Sequence, residues 1–488
     1  MSSFFLKVFS SITLIIIYVF NICCMLFSIG SPMFNYPGFS YLGLLSIILF
    51  SIIIIISTLK KDQFFFFLPF VILAFPNVIN DFFPSFLMGP RTEYRVASFS
   101  FITHIDIYLL FGLYLNKNYN HKILENQNFR FLTILTFLLS IFFLLTIVNS
   151  SSIESLSLFA IGNYQIRYIL LFILFLSTVK LNNSHIRLII YGLSMSIIFL
   201  FIESSIFTIS TGRPTLGSGT LAANVFANIT AAITIFFLFL KQKTFNLPKI
   251  FYYHIRISTI IIGFLILILN GTRMAMFSFF ISALVFYIRT SFKVETFFQF
   301  FVKMIYYGLF FLIFLTIALQ FERFSGAITI LIDLFNLNIK LNESTASLFA
   351  RFHLYKVSLN MTDEHWLLGI GPGRWNYLKY NYDYQNIGTL LVDTLMDPHN
   401  DYLSYISQYG LFIGSAMIFF VLLKPALQFL SKPEDSIYFF GLIPFTLLIS
   451  GLTNSNTLKH QIFATAMMII LIMYQKLNKK NVVFFKEE

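Results

Sequence analysis

Long apolar runs dominate the chain, and short polar connections separate them. "SITLIIIYVFNICCMLF" and "LLSIILFSIIIIIST" come close to the ~20 residues that an apolar helix needs to cross a bilayer. Runs of this kind predict spans near 8–29, 39–59, 64–80, 99–115, 131–149, 166–180, 187–209, 221–240, 254–270, 273–288, 299–320, 402–423, 436–453 and 459–475. The predicted fold class is all-α, a polytopic transmembrane helical bundle of about 12–14 spans. One connection differs from the rest. Residues 321–401 make a long, moderately polar, Tyr-containing loop. Its parts "AITILIDLFNLNI" and "SLFARFHLYKVSL" have helical apolar spacing, which predicts a partly helical periplasmic lid with surface-lying helices. The expected organisation is a bundle over 1–320, the lid over 321–401, C-terminal spans over 402–475 and a cytoplasmic tail over 476–488.

Composition agrees with the pattern. The 488 residues are 57% hydrophobic and only 11% charged, with a mean hydropathy of +0.80, whereas a soluble domain is about a quarter charged. The first run is long and has no small-x-small cleavage site before "SPMFNYPG", so it reads as a span rather than a cleavable signal. Cys23 and Cys24 are the only cysteines and are adjacent, which gives neither a disulfide framework nor a metal cluster.

The net charge of +12 would suit a nucleic-acid partner, but its placement points elsewhere. With the N-terminus inside, the inner connections hold Lys60, Lys61, Lys117, Lys122, Arg130, Lys180, Arg187, Lys241, Lys243, Lys249, Arg289, Lys293, Lys424 and Lys432. Lys476, Lys479 and Lys480 follow in the tail, so more than half of the 33 basic residues share one side. Such bias orients a multi-pass protein. Both termini are therefore predicted cytoplasmic, with membrane lipids as partners and no nucleic acid.

That topology leaves fewer basic residues outside than inside, and it puts Arg213, Arg273 and Arg351 on the same side as His399. Gly271-Thr272-Arg273 reads as a helix stop followed by a Thr N-cap. An arginine in a first helical turn faces the positive end of the dipole, which is unfavourable unless an anion such as phosphate shares the site. Snorkelling to lipid headgroups is the alternative. Arg213 lies in the small-residue turn "TGRPTLGSGT", which allows close backbone approach to a ligand or is merely a flexible loop. Arg351 falls on the predicted lid helix, where a solvated surface role competes. In "DPHNDYLSYISQYGLFIG", Asp397 followed by Pro398 predicts an N-cap with proline at N1. His399 would then sit in the first turn, its ring kept neutral by the dipole and able to accept a proton. A structural interfacial histidine is the competing reading.

The spacing of Gly369, Gly371 and Gly373 in "LLGIGPGRWNY" is not a dinucleotide fingerprint and suggests a tight turn that packs the lid. His104, Asp106 and Glu203 are costly within spans, and a cavity or Arg167 would accommodate them. The chain has no HExxH, no clustered Cys/His ligands and no Asp-x-Asp, so no metal and no cofactor are expected.

"DPHNDYLSYISQYGLFIG" resembles the His-Asn-x-x-Leu…Gly signature of the bacterial O-antigen ligase and O-antigen polymerase superfamily. "GTRMAM" resembles its Arg-bearing span junction. "ARFHLYKVSLNMTDEHWLLGIGPGRW" resembles its Arg…Gly-x-Gly periplasmic loop, and "GRPTLGSGTLAANVFANI" its upstream Arg loop. The order matches over roughly 200–420, although "SGTLAAN" replaces the family's usual Pro-Asn and the span count exceeds its usual 12.

The resemblance implies a metal-independent, inverting GT-C type glycosyltransferase of the inner membrane, with its active site facing the periplasm. The donor would be a glycan on undecaprenyl diphosphate, and the acceptor lipid A–core or a growing glycan. Carried over by motif position, His399 would be the base, Arg273 and Arg213 would hold the diphosphate, and Arg351 would fix the donor or close the loop. Asn400, Gly369 and Gly371 fall in the same motifs as substrate-side residues. Ligase is the first reading. Polymerase or protein oligosaccharyltransferase would use the same donor, and a flippase would need inverted repeats and midplane polar residues, for which Asp106 and Glu203 are too few.

Overall fold

The computed structural model describes residues 37–74, 104–115, 165–175, 181–212, 215–217, 221, 223–242, 244–291, 343–372, 374–383, 397–432, 437–457 and 460–475. It also describes scattered positions within 134–141 and 298–316. The predicted span at 8–29, the apolar segment 327–339, Gly373 and the tail 476–488 lie outside the described residues, and 131–149 and 299–320 lie largely outside them.

Among the described residues every regular element is helical. In chain order they are α1 (Pro37–Leu59), α2 (Gln63–Leu73), α3 (His104–Leu115), α4 (Gln165–Phe175), α5 (Asn183–Thr211) and α6 (Ala223–Phe239). There follow α7 (Arg256–Asn270), α8 (Arg273–Ser291), α9 (Glu343–Glu364), the short α10 (Trp375–Leu378) and α11 (Asp401–Ile418). The series ends with α12 (Lys424–Ser431), α13 (Leu442–Ser450) and α14 (His460–Gln475). One π-turn, Phe251–Ile255, precedes α7, and a second, Phe419–Leu423, joins α11 to α12. Four described stretches are long and apolar enough to cross a membrane, namely Asn183–Ile209, Phe251–Asn270, Arg273–Thr290 and Asp401–Ser431. The molecule is an all-α helical membrane protein.

α6 is the axis of the bundle. Val225 through Phe237 are all buried, the polar Asn228, Thr230 and Thr234 among them, because α7, α8 and α13 enclose it. Small residues set the closest crossings, where lipid offers no hydrophobic drive and backbone proximity supplies the packing. A Cβ at Gly192 of α5 would stand 2.1 Å from the Phe66 carbonyl oxygen of α2, and one at Gly263 of α7 would stand 2.0 Å from Thr234 Oγ1 of α6.

Caps set the helix ends. Asn182 accepts from the His185 amide at 2.8 Å to start α5, and Gly212 ends it at φ 63. Asp106 and Arg167 do pair, with Arg167 Nη2 3.0 Å from Asp106 Oδ2, so the intramembrane charges of α3 and α4 neutralise each other.

The described part of the lid has a small core of its own, built from Leu354, Val357 and Met361 of α9 with Ile370 and Trp375. Polar ties close it. Trp375 Nε1 donates to Ser358 Oγ at 2.9 Å, Asn360 Nδ2 donates to the Tyr382 carbonyl at 2.9 Å, and His353 Nε2 lies 3.1 Å from Asp383 Oδ1. α9 packs along α11, which brings the lid to the bundle.

Candidate functional site

The corner before α11 differs from the sequence expectation. The N-cap is Asn400, at φ −153 and ψ 118, whose side-chain oxygen accepts from the Leu403 amide at 3.0 Å. Asp397 uses its carboxylate one step earlier, accepting from the His399 amide at 2.9 Å to close a tight turn over Pro398. His399 therefore precedes the helix rather than occupying its first turn, and it adopts φ 50. This left-handed conformation costs an L-residue roughly 1–2 kcal/mol. The ring is partly exposed, and its Nδ1 lies 3.9 Å from Asp397 Oδ1.

What holds this conformation is a loop that sequence reasoning passed over as a plain connection, Ser450 to Thr457. The Asn400 amide donates to Ser455 Oγ at 3.0 Å, and Asn400 Nδ2 donates to the Leu452 carbonyl at 2.8 Å. The Asp401 amide donates to the Gly451 carbonyl at 2.8 Å, and Asp401 Oδ1 accepts from both the amide and the hydroxyl of Thr457, at 2.9 and 2.7 Å. Asp401 is fully buried. The signal was present in the chain: Thr453, Asn454, Ser455, Asn456 and Thr457 are five successive polar residues between two apolar helices.

Arg273 opens α8 beside a second polar knot. Gly271, at φ 70, ends α7 and donates to the Leu267 carbonyl at 3.2 Å. Asn270 Nδ2 donates to the Leu216 carbonyl at 2.7 Å, and the Leu216 amide donates to the Leu269 carbonyl at 3.0 Å. Arg213 itself lies outside the described residues. Its loop is nevertheless pinned on either side, at Gly212 and at Leu216, and Leu216 is bonded to the end of α7 just before Arg273.

α6 joins the two knots. Thr272 Oγ1 donates to Asn270 Oδ1 at 2.5 Å and lies 3.4 Å from Asn224 Oδ1. One turn further along α6, Asn228 Nδ2 donates to Asn456 Oδ1 at 2.8 Å, and Asn456 Nδ2 donates to Ser450 Oγ at 2.8 Å. Residues four apart on a helix share a face and are ~6 Å apart along its axis. The Arg273 junction and the loop that wraps His399 therefore lie at the same end of the bundle.

The lid reaches the same corner. Tyr355 OH lies 3.1 Å from the Leu452 carbonyl oxygen and 3.4 Å from that of His399. Burial raises the Tyr355 phenol above its usual range, against smaller opposing effects from the Arg351 charge and the Asn400 side chain. Tyr355 thus stays a protonated donor, and Arg351 sits one helical turn before it on α9.

Gly369 and Gly371 dock the lid. α11 is broken at Gly410, at φ 76 and ψ 171, and doubles back so sharply that a Cβ on Gly414 would be 2.6 Å from the Tyr405 carbonyl oxygen. The predicted single span at 402–423 is in this respect corrected. The break removes helical partners, and the lid replaces them. Ile370 and Gly371 amides donate to the Ser407 and Gln408 carbonyls at 2.9 Å each, and the Leu411 amide donates to the Trp366 carbonyl at 2.7 Å. Gly369, at φ 69, would clash with the Gly410 amide at 2.5 Å if it carried a Cβ.

An all-α helical membrane protein thus brings the Arg273 junction, the His399 corner and the α9 segment together at one end of its bundle, where the candidate site lies. Residues 258–419, about a third of the chain, match the protein-family model described as O-antigen ligase. The match supports the O-antigen ligase and polymerase superfamily that the motifs resemble. It contains Arg273, Arg351, Gly369, Gly371, His399 and Asn400, while Arg213 precedes it. No curated protein matches the chain.

Proposed function

We propose that the chain is an O-antigen ligase-like inverting glycosyltransferase, moving a glycan from undecaprenyl diphosphate to a sugar hydroxyl of lipid A–core at the periplasmic face of the bacterial inner membrane. The observation that carries this reading is the polar ridge from Thr272 through Asn224, Asn228 and Asn456 to Asp401, which ties the Arg273 junction to the His399 corner. The family match to O-antigen ligase supports it.

In this reading His399 takes the proton from the acceptor hydroxyl. The oxygen forms a bond to the anomeric carbon of the donor sugar from the face opposite the phosphate. The bond from that carbon to the phosphate oxygen breaks, and its electron pair leaves on undecaprenyl diphosphate. Arg273 and Arg213 hold the departing diphosphate, and Arg351 fixes the donor as the lid closes. Diphosphate is a good leaving group once its charge is met, and guanidinium meets it bidentately without a cation. Asn400, Gly369 and Gly371 shape the site by holding the corner and the lid.

The surface glycans of a deletion strain test the reading. Long chains left on the carrier lipid are the expected outcome; single repeats capping the core would make the protein a polymerase instead. Complementation with Arg273→Lys is expected to restore less than about a tenth of transfer, because a point charge replaces a two-toothed clamp. Full restoration would leave Arg273 as a lipid-headgroup anchor.

A further inference from the structure

The end of the lid helix breaks the rule that a solvated loop is polar. Asp363, Glu364 and His365 are exposed, as expected at a water boundary, but Trp366, Leu367 and Leu368 follow His365 and are also about half exposed. Leu411 and Phe412 continue the apolar surface, Phe412 at 63% exposure and with its ring centroid 6.2 Å from that of Trp366. The two pieces are fastened together by the hydrogen bond from the Leu411 amide to the Trp366 carbonyl. The other tryptophan of the chain, Trp375, is buried in the lid core.

We infer that Trp366–Leu368, with Leu411 and Phe412, form a membrane-anchoring surface of the lid, seated among phospholipid acyl chains at the hydrocarbon boundary of the leaflet on the lid side. The length of the span fixes the depth. From Leu411, the first residue after the break, to Ser431 the helix rises ~31 Å at 1.5 Å per residue, which matches a hydrocarbon core of about 30 Å. Leu411 therefore stands at the edge of the core, and Trp366 is bonded to it at that level. Tryptophan is the residue that favours this boundary, with its ring in the acyl region and its N–H toward the headgroups. Left in water, the same surface would be a contiguous apolar patch of the kind soluble surfaces avoid. The lid is in this way held at two points, by backbone bonds to α11 and by lipid at its tip. The inference uses the lid and the span alone and does not depend on the reaction proposed above.

The two tryptophans make the test direct. In the Trp375→Phe variant, reconstituted into phosphatidylcholine vesicles, Trp366 is the only tryptophan. Its emission is expected to fall at least twofold when the acyl chains are brominated near the headgroup, and to respond weakly to aqueous acrylamide. In Trp366→Phe the remaining tryptophan is buried in protein, so bromine quenching is expected to be lost. The difference between wild type and Trp366→Phe gives the same quantity if Trp375→Phe does not fold. Strong acrylamide quenching without bromine quenching would put the tip in water and overturn the inference. Protection from both would mean that a second copy or another segment of the chain covers it, which overturns it equally.

Discussion

His399 holds a left-handed backbone because its neighbours leave it no other. Pro398 fixes the residue before it, Asp397 captures its amide, and Asn400 behind it is tied by three hydrogen bonds to Leu403, Leu452 and Ser455. Backbone held in a sparsely populated region persists only where the surroundings over-determine it, and such places cluster at functional sites. Asn228 is the most telling of the supporting residues, because one buried amide links α6 to the loop around this corner. Asn228→Ala is expected to destabilise the protein by ~1–3 kcal/mol, since it leaves Asn456 with a buried acceptor unmet. A lower thermal midpoint in detergent checks this, and an unchanged midpoint would mean that the ridge does not hold the corner. The presence of His399, Arg273 and Arg351 was legible from motif order. The cap was not, because Asp-Pro before a helix serves equally as an N-cap or as a turn that closes on the second amide. Only the competing Asn400, whose partners come from a loop some fifty residues away, decides between them.

At the scale of elements, hydropathy located most described helices to within a few residues, including α5, α6, α7, α8 and α14. It read 402–423 as one span because apolar content is blind to backbone angles. Gly410 breaks α11, and three glycines let three backbone segments cross at contact distance. This also explains the first two glycines of "LLGIGPG": the φ angles of Gly369 and Gly371 turn the chain so that its amides face Ser407 and Gln408. Gly369→Ala is expected to undock the lid, since its Cβ would meet backbone atoms of Gln408 and Gly410 at 2.5 Å and its φ is unfavourable for an L side chain. Limited proteolysis is expected to cut within 343–383 many times faster than in wild type. Wild-type resistance would show that the crossing can relax and that the docking is not rigid.

For the molecule as a whole, the alternation of basic connections predicts which loops share a side. The α5–α6 connection, the α7–α8 junction, the start of α11 and the α13–α14 connection meet through hydrogen bonds at one end of the bundle. No pairwise spacing in the sequence reveals the bond between Asn228 and Asn456, 228 positions apart, so the ridge had no local signal. The proposed chemistry depends on that convergence, with a base and at least two guanidinium groups facing one substrate. The most direct test is transfer by the purified protein in vesicles that contain glycan-linked undecaprenyl diphosphate and lipid A–core, following both the glycosylated acceptor and the released carrier. Wild type is expected to produce the two in equal amounts, and His399→Ala at least a hundredfold less while still binding donor. Wild-type turnover by His399→Ala would contradict the assignment of the base and, with it, the proposed site.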